Sequence, residues 1–448
     1  MPLCLNNLEA NVRRLQRCCW RGRVIEVGRG KLRVTGLSHS CSIGDAVEII
    51  TTKNGPLVGE VLSFQGEDAL VLPDGPLEGV HLNDSVRLTG DITLSPDESW
   101  LGQVIDPNGQ PLDGSFLPDG MHSRSLKGKQ MPATARKQLG DRMETGLSLF
   151  NTILPIARGQ RLGLFAGSGV GKSTLLGKLV LGVQADVIVM AMIGERSREV
   201  AEFVSRVLGP NGMKRTVIVA ATADQSALLR RRCAWSAMVV AEHFREQGKQ
   251  VLLLADSLTR FAEAHREVSV VTEEPLGKTG HAASATTLLT SLCERAGPGL
   301  ADEGDITAIF SVLVAGSDME EPLADMMRGI LDGHIILSRE IAERGRFPAV
   351  DVLASVSRSL PEAASSVENE IIAETRQRLS SYAQSEIMIR AGLYATGSDP
   401  IIDAAIACHD PLDEFFASYE AQDTKNSFER LTEILATASA DVCEASDA

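Results

Sequence analysis

The sequence predicts a multidomain α/β protein with a small β-barrel first, a parallel sheet covered by helices second, and a helical domain last. Three observations carry that prediction. Residues 21–92 hold short, alternating segments broken by Gly, Asn and Asp turns, as in a small barrel. Residues 93–360 then change texture: apolar runs alternate with helical stretches, the pattern of a parallel sheet buried on both faces. Past residue 360 the strand signals stop, and residues 361–448 have helical periodicity.

In chain order, the first element is a short basic helix over residues 1–20. Leu5, Leu8, Val12 and Leu15 recur at helical spacing, with Arg13, Arg14 and Arg17 largely between them. Such a helix can pack on its own protein, or dock to a partner or an anionic membrane surface. The barrel segments are "RGRVIEVG", "KLRVTGL", "DAVEII", "PLVGEVLSF", "DALVLP" and "SVRLTG". The stretch "LGQVIDPNGQPLDG", residues 101–114, has the composition of turns leading into the next domain. The apolar runs of the core are "RLGLFA", "DVIVMAMI", "TVIVAAT", "QVLLLAD", "DITAIFSVLV" and "HIILS".

Composition narrows the function. The chain has 448 residues, 44% of them hydrophobic and 23% charged, as in an ordinary globular protein. No run of about 18 apolar residues and no apolar leader core is present, so neither a membrane span nor a secretory signal is expected. The eight cysteines are scattered, without a Cys-x-x-Cys pair, as in a reducing compartment. Net charge is −15, which argues against a general nucleic-acid binder. The charge is uneven. Residues 1–35 carry eight Arg or Lys against Glu9 and Glu26, while residues 361–448 carry seventeen Asp or Glu against five Arg or Lys. The two ends are therefore suited either to different partners or simply to solvent.

The chemistry concentrates in "AGSGVGKS", residues 166–173, between the apolar run "RLGLFA" and the helical "STLLGKLVLGV". Glycines let the backbone curl until several N–H groups face one anion, and the following helix adds its positive end. Ala166, Gly167, Ser168, Gly169, Val170, Gly171, Lys172, Ser173 and Thr174 form the expected nucleotide loop. Lys172 would reach the β- and γ-phosphates, and Ser173 would give its hydroxyl to Mg²⁺. Ala166 stands where the common pattern has Gly.

Asp256 ends "QVLLLAD", at the strand tip where ligands bind in such sheets. By itself it could instead cap a helix; beside a phosphate loop it is a partner for Mg²⁺. Ser257, not a second carboxylate, follows it, so a base for hydrolysis must come from elsewhere. Glu195 follows "DVIVMAMIG" and so sits at another strand tip, where it could polarise water. A surface ion pair with Arg196 or Arg198 is the alternative.

Four stretches in order, "GQRLGLFAGSGVGKSTLL", "MIGERSREV", "VLLLADSLTRFAEAHREV" and "RGILDGHIILSREIAERGRFPAVDVLASVSRSLP", resemble the rotary-type ATPases. Among these the chain looks most like the type III secretion ATPase family of flagellar protein export and its injectisome relatives, related to the catalytic subunits of F-type ATPases. The resemblance implies a P-loop, RecA-like core and ATP hydrolysis with Mg²⁺. It implies that Glu195 is catalytic, that Arg196 is the arginine of the same motif, that Arg358 in "SVSR" is an arginine finger completing the neighbouring subunit's site, and that Phe347 lies against adenine. It also implies a homo-oligomer, a hexamer, acting with regulator and stalk proteins, an export gate at the inner membrane and chaperone–substrate complexes. The location implied is cytoplasmic, peripheral to the inner membrane. The chain departs from the family in "EEPLGKTGHAASATTLLTSLCERAGPG", with Leu276 for a usual Pro and His281 for a usual aromatic, in a loop expected to face the ring's pore. The alternatives are an injectisome ATPase with other cargo, an RNA translocase, a rotary ATP synthase subunit and a non-catalytic nucleotide-binding scaffold. Low aromatic content (4%) and acidity disfavour the RNA translocase, and Glu195 and Arg358 disfavour the scaffold.

Overall fold

The computed structural model describes residues 19–28, 30–51, 55–129, 131–277, 280–314, 318–419 and 423–446. The basic helix expected over residues 1–20 therefore lies outside the described residues, except Cys19 and Trp20, which are exposed and not helical.

All six barrel segments become strands: β1 (Arg21–Val27), β2 (Leu32–Thr35), β3 (Ala46–Ile50), β4 (Pro56–Gln65), β5 (Asp68–Pro73) and β6 (Ser85–Gly90). They close an antiparallel barrel in the order β1-β2-β5-β4-β3-β6. Alternation supplies its interior: Val24, Leu32, Val34, Val47, Ile49, Val71 and Val86 point inward and are fully buried. Two nearly buried arginines of the helix Ala227–Glu246 fix the barrel to the core: Arg231 pairs with Glu60 at 2.7 Å and Arg232 with Asp74 at 2.9 Å.

Two short strands, β7 (Thr93–Leu94) and β9 (Arg124–Ser125), pair apart from the core. The core sheet consists of β8 (Val104–Ile105), β10 (Arg161–Ala166), β11 (Val187–Glu195), β12 (Thr216–Thr222), β13 (Val251–Asp256), β15 (Asp305–Leu313), β16 (Gly333–Leu337) and β17 (Val350–Ser357), with β14 (Gly297–Pro298) beside β15. Its order is β17-β16-β10-β15-β13-β11-β12-β8. On β11, Ile188, Met190 and Met192 enter one apolar cluster while Val187, Val189 and Ala191 enter the other. Both faces are covered, which is why the run has no polar alternation.

The sheet corrects two expectations. Residues 101–114 are not only turns: β8 adds to the edge in parallel, with Ile218 opposite Val104. β17, absent from the apolar runs, closes the other edge antiparallel to β16. Its Leu353, Ala354 and Val356 are exposed, so it lacks the continuous apolarity of the interior strands.

The last helices are Ser366–Arg390, Pro400–Ala417 and Thr424–Ser446. Ser365 and Glu368 form a reciprocal capping box that starts the first of them. Phe415, Phe416, Phe428 and Leu431 share one apolar cluster with Leu147, Phe150 and Leu176 of the core.

Candidate active site

β10 ends at Ala166, which is 1% exposed; the small side chain fits a position walled by neighbouring strands. The loop then turns through Gly169 and Gly171, at φ 78° and 88°, conformations that favour glycine. Val170 is buried and anchors the loop, while Ser168 and Gly169 are exposed. The helix Lys172–Gly182 begins at Gly171 with no side chain capping its first amides. Those N–H groups are free to face an anion. Lys172 Nζ is paired with Asp256, and Ser173 and Thr174 are exposed at the loop's open side.

Asp256 is the last residue of β13 and is 4% exposed. Its Oδ1 also accepts a hydrogen bond from Ser311 Oγ at 2.7 Å. β11 runs beside β13 with Met192 opposite Asp256, so Glu195 emerges just beyond it. Gly194, at φ 68°, coincides with a register shift against β12 between Ile193 and Glu195. This one-residue irregularity re-aims the side chain that follows it. Burial pushes the Glu195 carboxyl up to about 7; a hydrogen bond with Glu199 and the Asp256 charge push the same way, and Lys172 opposes them. A carboxyl poised there is suited to exchanging protons near neutral pH.

Phe347 reaches the loop from the connector between β16 and β17. A Cβ on Gly171 would lie 3.1 Å from its ring, so the ring rests on the loop's last glycine. Arg339, from the same connector, donates to Ser168 O at 3.3 Å. Nothing in the sequence patterns singled out Arg339. Ser311 left a signal: it is a polar residue inside the apolar run of β15, and such a residue needs a buried partner.

Lys172, Asp256, Glu195 and Phe347 thus converge with the glycine loop at one end of the sheet. Arg196 and Arg358 do not join them. The Arg196 side chain is 80% exposed and lies 3.6 Å from Glu199, at the start of the helix Ser197–Glu202. Arg358 follows β17 at the opposite end. Its amide donates to Asp332 O at 3.1 Å, and the Asp332 amide donates to Arg161 O at 2.8 Å. Arg358 is therefore level with the first residue of β10, whereas the loop leaves from the last, about 16 Å along the strand. Its guanidinium donates to Leu331 O at 3.1 Å and Arg328 O at 3.3 Å.

In the divergent segment, Leu276 bridges Ala282, and the Gly277 amide donates to His281 O at 2.8 Å. Ser284 ties this turn down, donating to Glu274 at 2.7 Å and lying 2.7 Å from His265 Nε2.

Residues 146–357 match the family model described as ATP synthase alpha/beta family, nucleotide-binding domain, and residues 365–435 match the T3SS EscN ATPase C-terminal domain. The chain is 42% identical over 440 residues to the flagellum-specific ATP synthase of Caulobacter vibrioides, covering 96% of this chain and 99% of that one. It is 39% identical over 417 residues to the type 3 secretion system ATPase of Pseudomonas syringae pv. syringae, covering 91% and 92%. Among solved structures it is similar to the assembled ATPase EscN of the enteropathogenic E. coli type III secretion system, with a TM-score of 0.85 and 34% identity over 92% of this chain and 100% of that one. EscN has also been solved, at the same similarity, in complex with its central stalk EscO. A glycine loop, a buried Asp and a strand-tip Glu on this sheet, matched along nearly the whole chain by such relatives, place it: the protein belongs to the ATPase family of flagellar and type III secretion systems.

Proposed function

We propose that this chain is a ring-forming, Mg²⁺-dependent ATPase that supports export of flagellar proteins through a type III apparatus. The observation that carries the reading is the convergence of Lys172, Asp256 and Glu195 beside an uncapped helix N-terminus. The loop amides and Lys172 hold the phosphates. Glu195 orients water against the terminal phosphorus and takes its proton as the bond to ADP breaks, giving ADP and phosphate. Phe347 covers the adenine side. Arg196 points to solvent and would act only after a rearrangement or against a neighbour.

Ser173 and Asp256 offer one hydroxyl and one carboxylate on either side of the loop, hard oxygen donors that suit Mg²⁺. Among the described residues no group of three or more His, Cys, Asp or Glu could hold a metal alone. That fits an ion which keeps waters and shares phosphate oxygens. When bound, it would neutralise charge on the β- and γ-phosphates.

Arg358 is the reason for a ring. It is exposed and a strand length from its own loop, so it serves a site in another copy. An always-charged, planar guanidinium stabilises the charge spreading over a phosphoryl group in flight. We assign residues 21–92 to a barrel domain, 93–360 to the ATPase core and 361–448 to a C-terminal helical domain. This is supported by the barrel's end at Gly90 and the helical start at Ser366. The partners we infer are a homohexamer, a central stalk, a regulator, the inner-membrane gate and chaperone–substrate complexes, without nucleic acid. EscN, solved assembled and with a stalk, supports an assembly of copies and a stalk. Among the described residues no helix is long and apolar enough to cross a membrane. A peripheral site on the cytoplasmic face of the export apparatus fits this reading.

The test is phosphate release measured against protein concentration, with oligomer size followed in parallel. Specific activity should rise steeply as rings form. A rate per chain that stays constant from monomer to ring would refute a shared site. Deleting the gene decides cargo: loss of motility is expected, and loss of effector secretion with intact flagella would identify the injectisome form.

A further inference from the structure

Asp332 and Arg161 lie outside the phosphate site, at the other end of the strand that leads into it. Asp332 opens the turn into β16, and Arg161 is the first residue of β10, whose last residue starts the phosphate loop. The Asp332 carboxylate grips Arg161 with both oxygens: Oδ2 accepts from Nε at 2.9 Å and from the backbone amide at 3.1 Å, and Oδ1 accepts from Nη2 at 3.0 Å. This is a planar fork that only arginine provides. The Asp332 carbonyl accepts from the Arg358 amide at 3.1 Å and from Gln160 Nε2 at 3.0 Å. Gln160 is fully buried, and the same Nε2 also donates to Ser357 Oγ at 3.0 Å, the residue before Arg358. The Arg358 guanidinium rests on the carbonyls of Leu331 and Arg328, at the C-terminal end of the helix Pro322–Ile330, where a cation is favoured.

We propose that Asp332, clamped to Arg161, is a positioning residue for Arg358: it holds the backbone from which the arginine reaches a neighbouring subunit. The inference rests on the reading of Arg358 as a residue acting in trans. Asp332 touches no nucleotide at its own loop, which lies about 16 Å away along β10. Its contribution acts through Arg358 on the other subunit's site. The clamp also ties that arginine to the strand carrying this subunit's own phosphate loop. One rigid strand therefore joins the site a subunit owns to the site it completes.

The experiment is a double-variant cycle on full-length, assembled protein. It compares Asp332→Asn, Arg358→Ala and the pair, reading kcat, KM, ring size and affinity for a fluorescent ATP analogue. Asp332→Asn should lower kcat about tenfold, the scale of a small misplacement of a catalytic group, and leave affinity within about twofold. In the Arg358→Ala background it should cost nothing further, because two residues acting as a unit are not additive. Asp332→Asn mixed with Glu195→Gln should regain activity, since the two defects fall on different interfaces. A double variant that loses a further tenfold, or an Asp332→Asn with wild-type kcat, overturns the clamp. Arg358→Ala with near wild-type kcat overturns the underlying trans reading instead. Should Asp332→Asn fail to assemble, Arg161→Lys keeps the charge, loses the fork and carries the same comparison.

Discussion

The two ends of β10 carry opposite kinds of site. At the Ala166 end the loop, Lys172, Asp256 and Glu195 come from neighbouring strand tips, and Lys172 is already paired with Asp256 inside the chain. At the Arg161 end Arg358 is exposed, with its guanidinium on two backbone carbonyls. The first end is a binding site one chain can build by itself. The second presents a cation that, on the proposed reading, serves another copy. Binding and turnover should therefore separate under mutation, and the separation should follow the geometry.

The sharpest break is Lys172→Ala. It removes the cation beside Asp256 and leaves that carboxylate facing the phosphates. Nucleotide affinity should fall roughly 100-fold or more, with turnover lost, as read by titration of a fluorescent nucleotide. At the other end, Arg358→Ala should keep affinity within about twofold and lower kcat by about 10³. Mixing it with Glu195→Gln should restore some activity at hybrid interfaces. If single-turnover measurements on mixed rings show no recovery, the two ends do not belong to one shared site.

Glu195→Gln should retain binding and lose about 10²–10⁴ in kcat, because an amide cannot take the proton. With its carboxyl near 7, wild-type kcat/KM should climb about tenfold per pH unit below about 7 and level off above. A limb near 4.5 would show that no carboxyl with a raised pKa controls the rate. Phe347→Ala should weaken ATP binding by about tenfold with kcat held, the size of one lost aromatic stack.

The smallest effect is on stability. In the unfolded chain Glu195 titrates near 4.5, and in the folded chain near 7, so the folded state holds the proton more tightly. Its contribution is present below about 4.5 and is lost as pH rises through about 7. Above that, the native state carries a poorly solvated charge. Glu195→Gln should therefore melt higher than wild type at pH 8, by on the order of 1 kcal/mol once solvent screening of a partly exposed group is allowed for. The gain should vanish at low pH. Equal melting curves at pH 8 would indicate a carboxyl without strain in the empty site.

Local order made much of this molecule legible before any contact was known. A glycine loop between an apolar run and a helix specifies its own geometry, because the left-handed turns at Gly169 and Gly171 and the free amides after them are backbone properties of adjacent residues. Six alternating segments specify a barrel interior, because period 2 decides which side chains face inward. Continuous apolar runs specify strands buried on both faces. The tertiary structure alone decided whatever depends on residues far apart in sequence. β8 is a strand only because β12 offers an edge, and β17 is one only because β16 does. Arg196 follows Glu195 directly in the motif, yet the helix that starts there turns it to solvent. Arg339, Gln160 and Asp332 lie inside the quoted stretches but have no pattern of their own to single them out; their importance comes from carbonyls and amides that meet them across the sheet. Hydrogen bonds and charge pairing fall off within a few ångströms, so a sequence can name the groups that carry chemistry, but only the packed sheet sets which of them lie near enough to act together.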